Sequence, residues 1–573
     1  MSKKSFKHHQ QKPVQTPAAA PKAAPKACPV HSLHKYLKPL PYVLTFLLVW
    51  VFCTWIYGDV FTRAQQDSYV SGNAVTMKFL TDKDFGTLYW YARYALLVFK
   101  SAWVGGLLLA LLLTFSTWTL DRVFCLPRSL HGLTSLLGFA LLGWMVWRGY
   151  SLFYKNEASV IVLYPILLAF AAFILGGIRC ALLHLKKKEA APSSQPAAEH
   201  CGHHWYRLPW GSLIVVLAFA GLTTYALGER ENEILTCRMQ NRVLTGDFEE
   251  IEKLADDALS AKSATRSVAA YYAIGLLQTH TLLDRLFDLP FHYPEMPLDV
   301  KDGSEEYGIF EADCSFFTGL TNSGYRAAMD KVVMNGPTIY QLKRMALCAI
   351  VGGEQNLARK YLKLISEMPF EQAFVDRYAP MVDDPELVKS DAMLSEVLKL
   401  KPEEARFEQN YRRPMFMGYN IGLLSGSNDA IDASIAACLY SKDLKNFLPR
   451  AQVLKNIGRP IPLCVQEAIV IHGLKNPDAY QMFPEYAPNN NRPGSPYATV
   501  QAFILDIQSY YQNECGAGAN WQEVMTKDLK GGVPEKVRQF LEPNWLGHYV
   551  YYYYCENLTK KEDKENKNKS GVN

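Results

Sequence analysis

The distribution of apolar and polar residues divides the chain into two unlike parts. Up to about residue 228 long apolar runs dominate, whereas beyond it apolar and polar residues alternate with a helical period. Five runs approach the roughly 20 residues that a helix needs to cross a bilayer core roughly 30 Å thick. They cover residues 40–57, 102–120, 130–147, 158–185 and 210–227. The pattern predicts a transmembrane domain of five helices within residues 39–228.

Beyond residue 228 the pattern predicts pairs of helices joined by tight turns. In "ENEILTCRMQNRVLTGDFEEIEKLADDALS" Gly246 ends one helix and Asp247 begins the next. Similar joints occur at Gly353 and at residues 442–444, and a looser one has Asn322 and Gly324 in its turn. A helix pair that cannot bury its apolar face alone must stack on a neighbour. We therefore predict an all-α chain, with five transmembrane helices followed by a tetratricopeptide-like α-solenoid of helix hairpins over residues 229–558.

Two segments at the C-terminal end of the chain differ in composition from the helix pairs. The stretch "HYVYYYYCENL", residues 548–558, is rich in tyrosine and fits either a strand or a helix. We interpret it as a terminal helix that covers the last hairpin. Residues 559–573 are rich in Lys, Glu and Asn, a composition typical of a disordered tail.

The basic residues predict the orientation in the membrane. Residues 1–38 hold eight Lys and no Asp or Glu, and basic loops at residues 121–128 and 186–207 fall on the same side if there are five spans. Lys and Arg accumulate on the cytoplasmic side of membrane proteins. We therefore expect a disordered, basic, cytoplasmic N-terminus over residues 1–38 and an extracytoplasmic helical-repeat domain.

Two short clusters of thiol and imidazole side chains are candidates for a metal site. They lie in "CPVHSLH" and "EHCGHHW", each a few residues before an apolar run and both on the predicted cytoplasmic side. The candidate ligands are Cys28, His31, His34, Cys201, His203 and His204. Zinc takes four nitrogen or sulfur ligands in a tetrahedron, but neither cluster has a strong paired spacing. We favour the alternative, a solvated polar loop beside the membrane, and expect no cofactor.

Acidic residues in the first predicted outer loop are the candidates for catalysis. Asp59 and Asp67 lie there, and an acid at such a position can serve as a base or a metal ligand in a glycosyl- or lipid-transfer enzyme. Five spans are few for such an enzyme, and solvated loop acids are common. No nucleotide-binding loop, nucleophile elbow or zinc-protease motif occurs. The formal net charge of +5 is small for 573 residues and does not indicate nucleic-acid binding.

Three stretches carry a resemblance to a known family. They are "LTDKDFGTLYWYARYALLVFKSAWVG", "CSFFTGLTNSGYRAAMDKVV" and "GPTIYQLKRMALCAIVGGEQNLARKYLKLI". The chain resembles a group of multi-span Bacteroidota membrane proteins with a tetratricopeptide-like C-terminal region, known as a domain of unknown function. The resemblance implies a protein of the bacterial inner membrane. Together with the basic residues described above, this predicts a multi-pass protein with a cytoplasmic N-terminus and a periplasmic C-terminal domain. It implies no catalytic residues.

These observations favour a non-enzymatic membrane protein. We predict that its helical-repeat domain binds a protein partner in the cell envelope, because solenoids present extended concave surfaces. Two alternatives stay open: an envelope glycosyl- or lipid-transfer enzyme that uses the first outer loop, and a metal-responsive membrane regulator built on the two Cys/His clusters.

Overall fold

The fold is almost entirely helical in the computed structural model. The structure describes residues 39–82, 86–149, 157–189, 210–259, 264–289, 304–402, 411–412, 419–420, 428–440, 442–515 and 520–556. Within these ranges the strands are β1 (Tyr411–Arg412) and β2 (Tyr419–Asn420), which pair antiparallel. The prediction of an all-helical chain is therefore confirmed at the level of fold class.

Apolar helices long enough to cross a membrane make up most of the N-terminal part. By length and composition there are four such helices, or five if a bent pair at the N-terminus is one span. The helices are α1 (Leu40–Val51), α2 (Gly58–Gln66), α3 (Ala74–Thr81), α4 (Gly86–Leu96), α5 (Ala102–Val123), α6 (Ser135–Arg148), α7 (Val160–Glu189) and α8 (Trp210–Glu229). The last four predicted spans correspond to α5, to Arg128–Arg148 (a 3-10 turn at Arg128–Leu130 followed by α6), to α7 and to α8.

The first predicted span is bent. Helix α1 continues into a π-helical turn, Phe52–Ile56, and the chain then turns by 65° into α2. The predicted outer loop covers residues 58–101, and its described residues are mostly helical, with α2, α3, α4 and a 3-10 turn at Leu97–Lys100. The segment mixes polar and aromatic residues and has no long apolar run, so the sequence did not predict these helices.

Close helix packing holds the membrane part together where small residues permit it. A Cβ added to Gly106 on α5 would lie 2.5 Å from Oγ1 of Thr54, so α5 and the π turn approach more closely than a side chain allows. Asp121 at the other end of α5 is buried and accepts hydrogen bonds from Tyr42 (3.0 Å) and from Thr134 (2.6 Å). Thus α1, α5 and the segment before α6 are joined at that end by one carboxylate.

The first half of the helical region is a stack of antiparallel pairs. Its helices are α9 (Glu231–Thr245), α10 (Phe248–Leu259), α11 (Arg266–Gln278), α12 (Leu282–Arg285), α13 (Ser304–Phe317), α14 (Thr321–Asn335), α15 (Ile339–Gly352) and α16 (Gln355–Ser366). Consecutive helices contact each other from α9 to α12 and again from α13 to α16, and the alternate helices α9, α11, α13 and α15 contact one another in order. Stacking of this kind buries the apolar face that one pair alone leaves exposed.

Turns in the helical region agree with three of the four predicted joints. Gly246 and Gly353 end α9 and α15 in the left-handed conformation, with φ of 78° and 79°. Lys442 adopts φ of 53° at the third joint. At the fourth joint the prediction was wrong. Asn322 and Gly324 lie inside α14, and the turn before it uses Gly319, with φ of 81°. Gly324 serves helix packing instead, since an added Cβ would lie 3.1 Å from the carbonyl oxygen of Ala312.

The second half of the helical region completes a continuous core. It comprises α17 (Gln372–Tyr378), α18 (Pro380–Asp383), α19 (Glu386–Ser390), α20 (Ala392–Leu400), α21 (Asn428–Tyr440), α22 (Leu444–Asn456), α23 (Leu463–Lys475), α24 (Ala479–Met482), α25 (Pro496–Cys515), α26 (Trp521–Gly531), α27 (Glu535–Trp545) and α28 (Tyr549–Cys555). The tyrosine-rich stretch forms α28, so its assignment as a terminal helix is confirmed. Tyr549 and Tyr552 donate hydrogen bonds to the carbonyls of Leu439 (3.2 Å) and Tyr440 (2.8 Å).

Candidate functional site

The six candidate zinc ligands cannot be compared with the structure. Cys28, His31 and His34 precede the first described residue, and Cys201, His203 and His204 fall between residues 189 and 210, outside the described ranges. Among the residues that the structure does describe, no group of three or more His, Cys, Asp or Glu side chains is arranged to hold a metal ion. Zinc binding by the two clusters stays a prediction.

The two candidate catalytic acids are both engaged in ion pairs. Asp59 on α2 accepts hydrogen bonds from Arg238 (3.1 Å) and Asn241 (3.2 Å), which both lie on α9. Asp67 follows α2 and binds the Arg63 guanidinium through two hydrogen bonds of 2.9 and 3.1 Å. Their carboxylates therefore attach α2 to the helical region and fix its end. In this arrangement they serve the packing of α2.

A buried charged cluster continues from α2 into the first helical stack. Asp313 on α13 accepts hydrogen bonds from the hydroxyls of Tyr340 and Tyr271, the latter at 2.7 Å, and lies 2.7 Å from Nη2 of Arg344. The Arg63 guanidinium stacks on the Tyr340 ring, with Cζ 3.5 Å from the centroid. Arg63, Asp313 and Arg344 are all buried. Buried charges persist only when paired and hydrogen-bonded, so this cluster fixes how α2 sits on the stack.

A second buried carboxylate joins the end of the membrane-side segment to the same stack. Glu371 accepts a hydrogen bond of 2.5 Å from Lys100 and lies 2.6 Å from Nζ of Lys343 on α15. Burial lowers the pKa of Lys343, an effect that Glu371 opposes. Burial also lowers the pKa of Lys331 to about 8, against the opposing charge of Asp67. We call the contacts of residues 58–100 with α9 to α17 the docking junction.

Two backbone hydrogen bonds reinforce the docking junction. The amide of Gly72 donates to the carbonyl of Glu367 at 3.1 Å, and the amide of Ile339 donates to the carbonyl of Ser68 at 3.0 Å. Side-chain ion pairs tolerate some displacement. Backbone hydrogen bonds form only over a narrow range of distances, so these two bonds fix the relative position of the two segments more closely. The segment between the first and second predicted spans is thus an integral part of the helical region.

An open cleft lies beside the turn between α9 and α10. Its volume is about 780 Å³, within the range of known ligand sites. The walls come from residues 245–256, from residues 278, 279 and 285, and from residues 377, 392 and 393. Phe248 and Met393 supply apolar surface, and most of the other lining side chains are polar or charged. We call this feature the repeat cleft, because its walls come from successive helix pairs.

Carboxylates surround the guanidinium of Arg285 in the repeat cleft. Arg285 pairs with Glu252 at 2.9 Å, with Asp256 at 3.1 Å and with Asp288 at 3.2 Å. One positive charge therefore faces three negative charges, which leaves this wall of the cleft electronegative. Arg377, which lines the cleft from α17, is itself paired with Asp391 at 2.7 Å.

The buried side chain of Gln278 in the repeat cleft has no partner among the residues that the structure describes. Gln278 is the last residue of α11 and is only 9% exposed, yet neither its amide oxygen nor its amide nitrogen forms a hydrogen bond. An unpartnered buried polar group costs about 1–3 kcal/mol of stability. Its position at the wall of a cleft makes Gln278 a candidate for contact with a ligand.

Comparison with known proteins supplies a family and no more. A family model described as a family of unknown function, DUF6057, matches residues 139–556. The chain belongs to this family. The matched region runs from within α6 to the end of α28 and includes the repeat cleft, Asp313, Arg344 and Glu371, but not α2. No curated protein and no solved structure matches the chain.

Sequence reasoning missed the polar residues that matter most in this DUF6057 protein. A signal existed for the docking junction, because Lys343 and Arg344 stand side by side in "YQLKRMALCAIV", an otherwise apolar helix. Charged side chains at core positions require buried partners. No comparable signal marks Gln278, since a glutamine at the end of a helix is ordinary. Only the approach of α12, α17 and α20 makes it part of a cleft.

Proposed function

We propose that this protein is a multi-pass protein of a bacterial inner membrane that binds a protein partner through its tetratricopeptide-like helical region. The stacking of α9, α11, α13 and α15 supports the solenoid interpretation, because such stacks leave extended surfaces for peptide or protein recognition. The observation that carries the proposal is the repeat cleft, which opens on this stack and contains a buried polar group without a partner.

The proposed orientation has the N-terminus in the cytoplasm and the helical region in the periplasm. The eight Lys of residues 1–38 support it. The docking junction adds a constraint on which parts of the chain share one side of the membrane. Residues 58–100 and the helical region contact each other directly, and four apolar helices separate them along the chain. An even number of spans returns the chain to the side from which it started, so the proposed topology is consistent with these contacts.

The proposal is tested by photo-crosslinking in intact cells. Lys253 on the rim of the repeat cleft has a side chain that is 71% exposed, so a photoreactive amino acid is tolerated there. The matched control is Arg326 on α14, which is 84% exposed and does not line the cleft. We expect a discrete adduct of a single mass from position 253 and none from position 326. Adducts of equal yield at both positions, or none at position 253, would overturn the proposal.

A further inference from the structure

The chemistry of the repeat cleft narrows the class of ligand that it suits. Gln278 offers an amide N–H donor and a carbonyl acceptor side by side, and the fold uses neither. A peptide unit offers the complementary pair, a C=O and an N–H, and an extended chain leaves both available. The side chain of Gln278 is therefore suited to the backbone of an extended peptide, independent of its sequence.

Charge supplies the second requirement. Asp247, Glu249, Glu252 and Asp256 line the cleft together with three cations. Of these, Arg285 is shared among three carboxylates, and the exposed Lys253 pairs with Glu250 at 3.7 Å. Because Arg377 is paired with Asp391, it adds little uncompensated positive charge. Carboxylates in excess at the wall of a cleft attract lysine and arginine side chains and repel acidic ones.

We propose that the repeat cleft binds an extended segment of a partner protein that carries lysine or arginine side chains. Gln278 hydrogen-bonds to one peptide group of the segment, and the carboxylates around Arg285 bind its cationic side chains. Phe248 and Met393 contact the aliphatic stems between them. This inference rests on the proposed function and names the chemistry of the partner.

The test measures peptide binding to the full chain in nanodiscs of zwitterionic lipid, which do not themselves attract cations. The probe is a short fluorescent peptide of alternating lysine and alanine with blocked ends, followed by fluorescence anisotropy. Comparison peptides replace lysine with glutamate or methylate the backbone nitrogens, and spermidine serves as a cation without a peptide backbone. We expect saturable binding of the lysine peptide, weaker binding of its methylated form, and no binding of the glutamate form.

Two matched pairs of variants assign the binding to the repeat cleft. Gln278→Leu removes the amide at nearly constant volume and should weaken binding about tenfold, the effect of losing one or two hydrogen bonds. The exposed Gln539→Leu is its control. Asp256→Asn, at a side chain 60% exposed, should weaken binding without affecting the fold, whereas Asp330→Asn, at one 66% exposed, should not. Melting temperatures of all four variants identify any that fail to fold.

The outcomes separate this inference from the proposed function. Equal binding of glutamate and lysine peptides, or full displacement by spermidine together with no effect of backbone methylation, would overturn the peptide assignment. Loss of crosslinking at Lys253 together with loss of peptide binding would overturn both proposals. A discrete crosslinked adduct without any binding of cationic peptides would leave the proposed function standing and overturn this inference alone.

Discussion

At the scale of single residues, the most consequential side chains are charges buried between helices. Asp313 and Arg344 face each other at 2.7 Å with both side chains at most 2% exposed. The hydroxyls of Tyr271 and Tyr340 also donate hydrogen bonds to the Asp313 carboxylate. Removing one partner of such a pair leaves the other charge buried without compensation, which is far more costly than losing a surface pair.

Arg344→Met should therefore lower the free energy of unfolding by about 3–5 kcal/mol, because it strands the Asp313 carboxylate. The measurement is unfolding of the full chain in mild detergent, by heat or by denaturant. The matched control is Arg359→Met, which removes an exposed pair with Asp383 at 2.8 Å and should change stability by less than about 1 kcal/mol. Equal losses in the two variants would contradict the assignment of Arg344 as a buried structural charge.

At the scale of elements, the terminal helix α28 depends on one ionisable contact. His548, just before α28, lies with Nδ1 2.5 Å from Oε1 of the fully buried Glu467 on α23. Glu467 also accepts a hydrogen bond from the amide of Val550 at 3.1 Å. The Glu467 carboxylate thus forms hydrogen bonds with the His548 imidazole and with the first turn of α28. The attachment of this helix therefore depends on the protonation of His548.

This contact predicts a pH dependence of stability. The hydrogen bond to Glu467 raises the pKa of His548 above its ordinary 6.5, against the lowering effect of burial. Because the folded state holds the proton more tightly than the unfolded chain, the contribution is fully present below pH 6.5. It is lost as the pH rises through the raised pKa.

We expect thermal unfolding to show this loss in the unmodified protein and not in His548→Gln. Below pH 6.5 the variant should be the less stable of the two, and the difference should shrink as the pH rises. A difference between the two proteins that stays constant from pH 6 to pH 9 would show that His548 is not protonated in this contact.

At the scale of the whole molecule, the docking junction constrains the topology. The contacts of residues 58–100 with the helical region require both to be on one side of the membrane. Cys125 and Cys180 are exposed. Cys125 follows the C-terminal end of α5 and Cys180 lies in the C-terminal part of α7, so both are on the side away from residues 58–100. Most of the described cysteines of the helical region are buried, and Cys515 is half-buried. The reactivity of native and introduced thiols therefore reports the orientation.

A membrane-impermeant maleimide should label Val75→Cys on intact spheroplasts in a Cys515→Ala background, since Val75 is 81% exposed and on the proposed periplasmic side. Without the Val75 substitution, labelling should appear only after permeabilisation, through the thiols on the cytoplasmic side. A phosphatase that is active only outside the cytoplasm should likewise be active when it is fused after residue 228. Labelling of position 75 only after permeabilisation would reverse the proposed orientation.

The sequence by itself determined the features that depend on neighbouring residues. Length and apolarity define α5, α6, α7 and α8, because a helix in lipid must satisfy its backbone internally and present an apolar surface. Local chemistry also determines the turns at Gly246 and Gly353, since a left-handed residue is most readily a glycine. The tyrosines of α28 form a helix as predicted.

Tertiary structure decided what depends on residues far apart in the chain. The attachment of residues 58–100 and the buried charged cluster depend on distant partners, such as Lys100 and Glu371, which are 271 positions apart. The repeat cleft is likewise made by helices that meet only in the folded stack. A periodic pattern records which face of a helix is buried, but not which other face covers it. The choice among apolar partners is made by packing and by the pairing of the few buried charges.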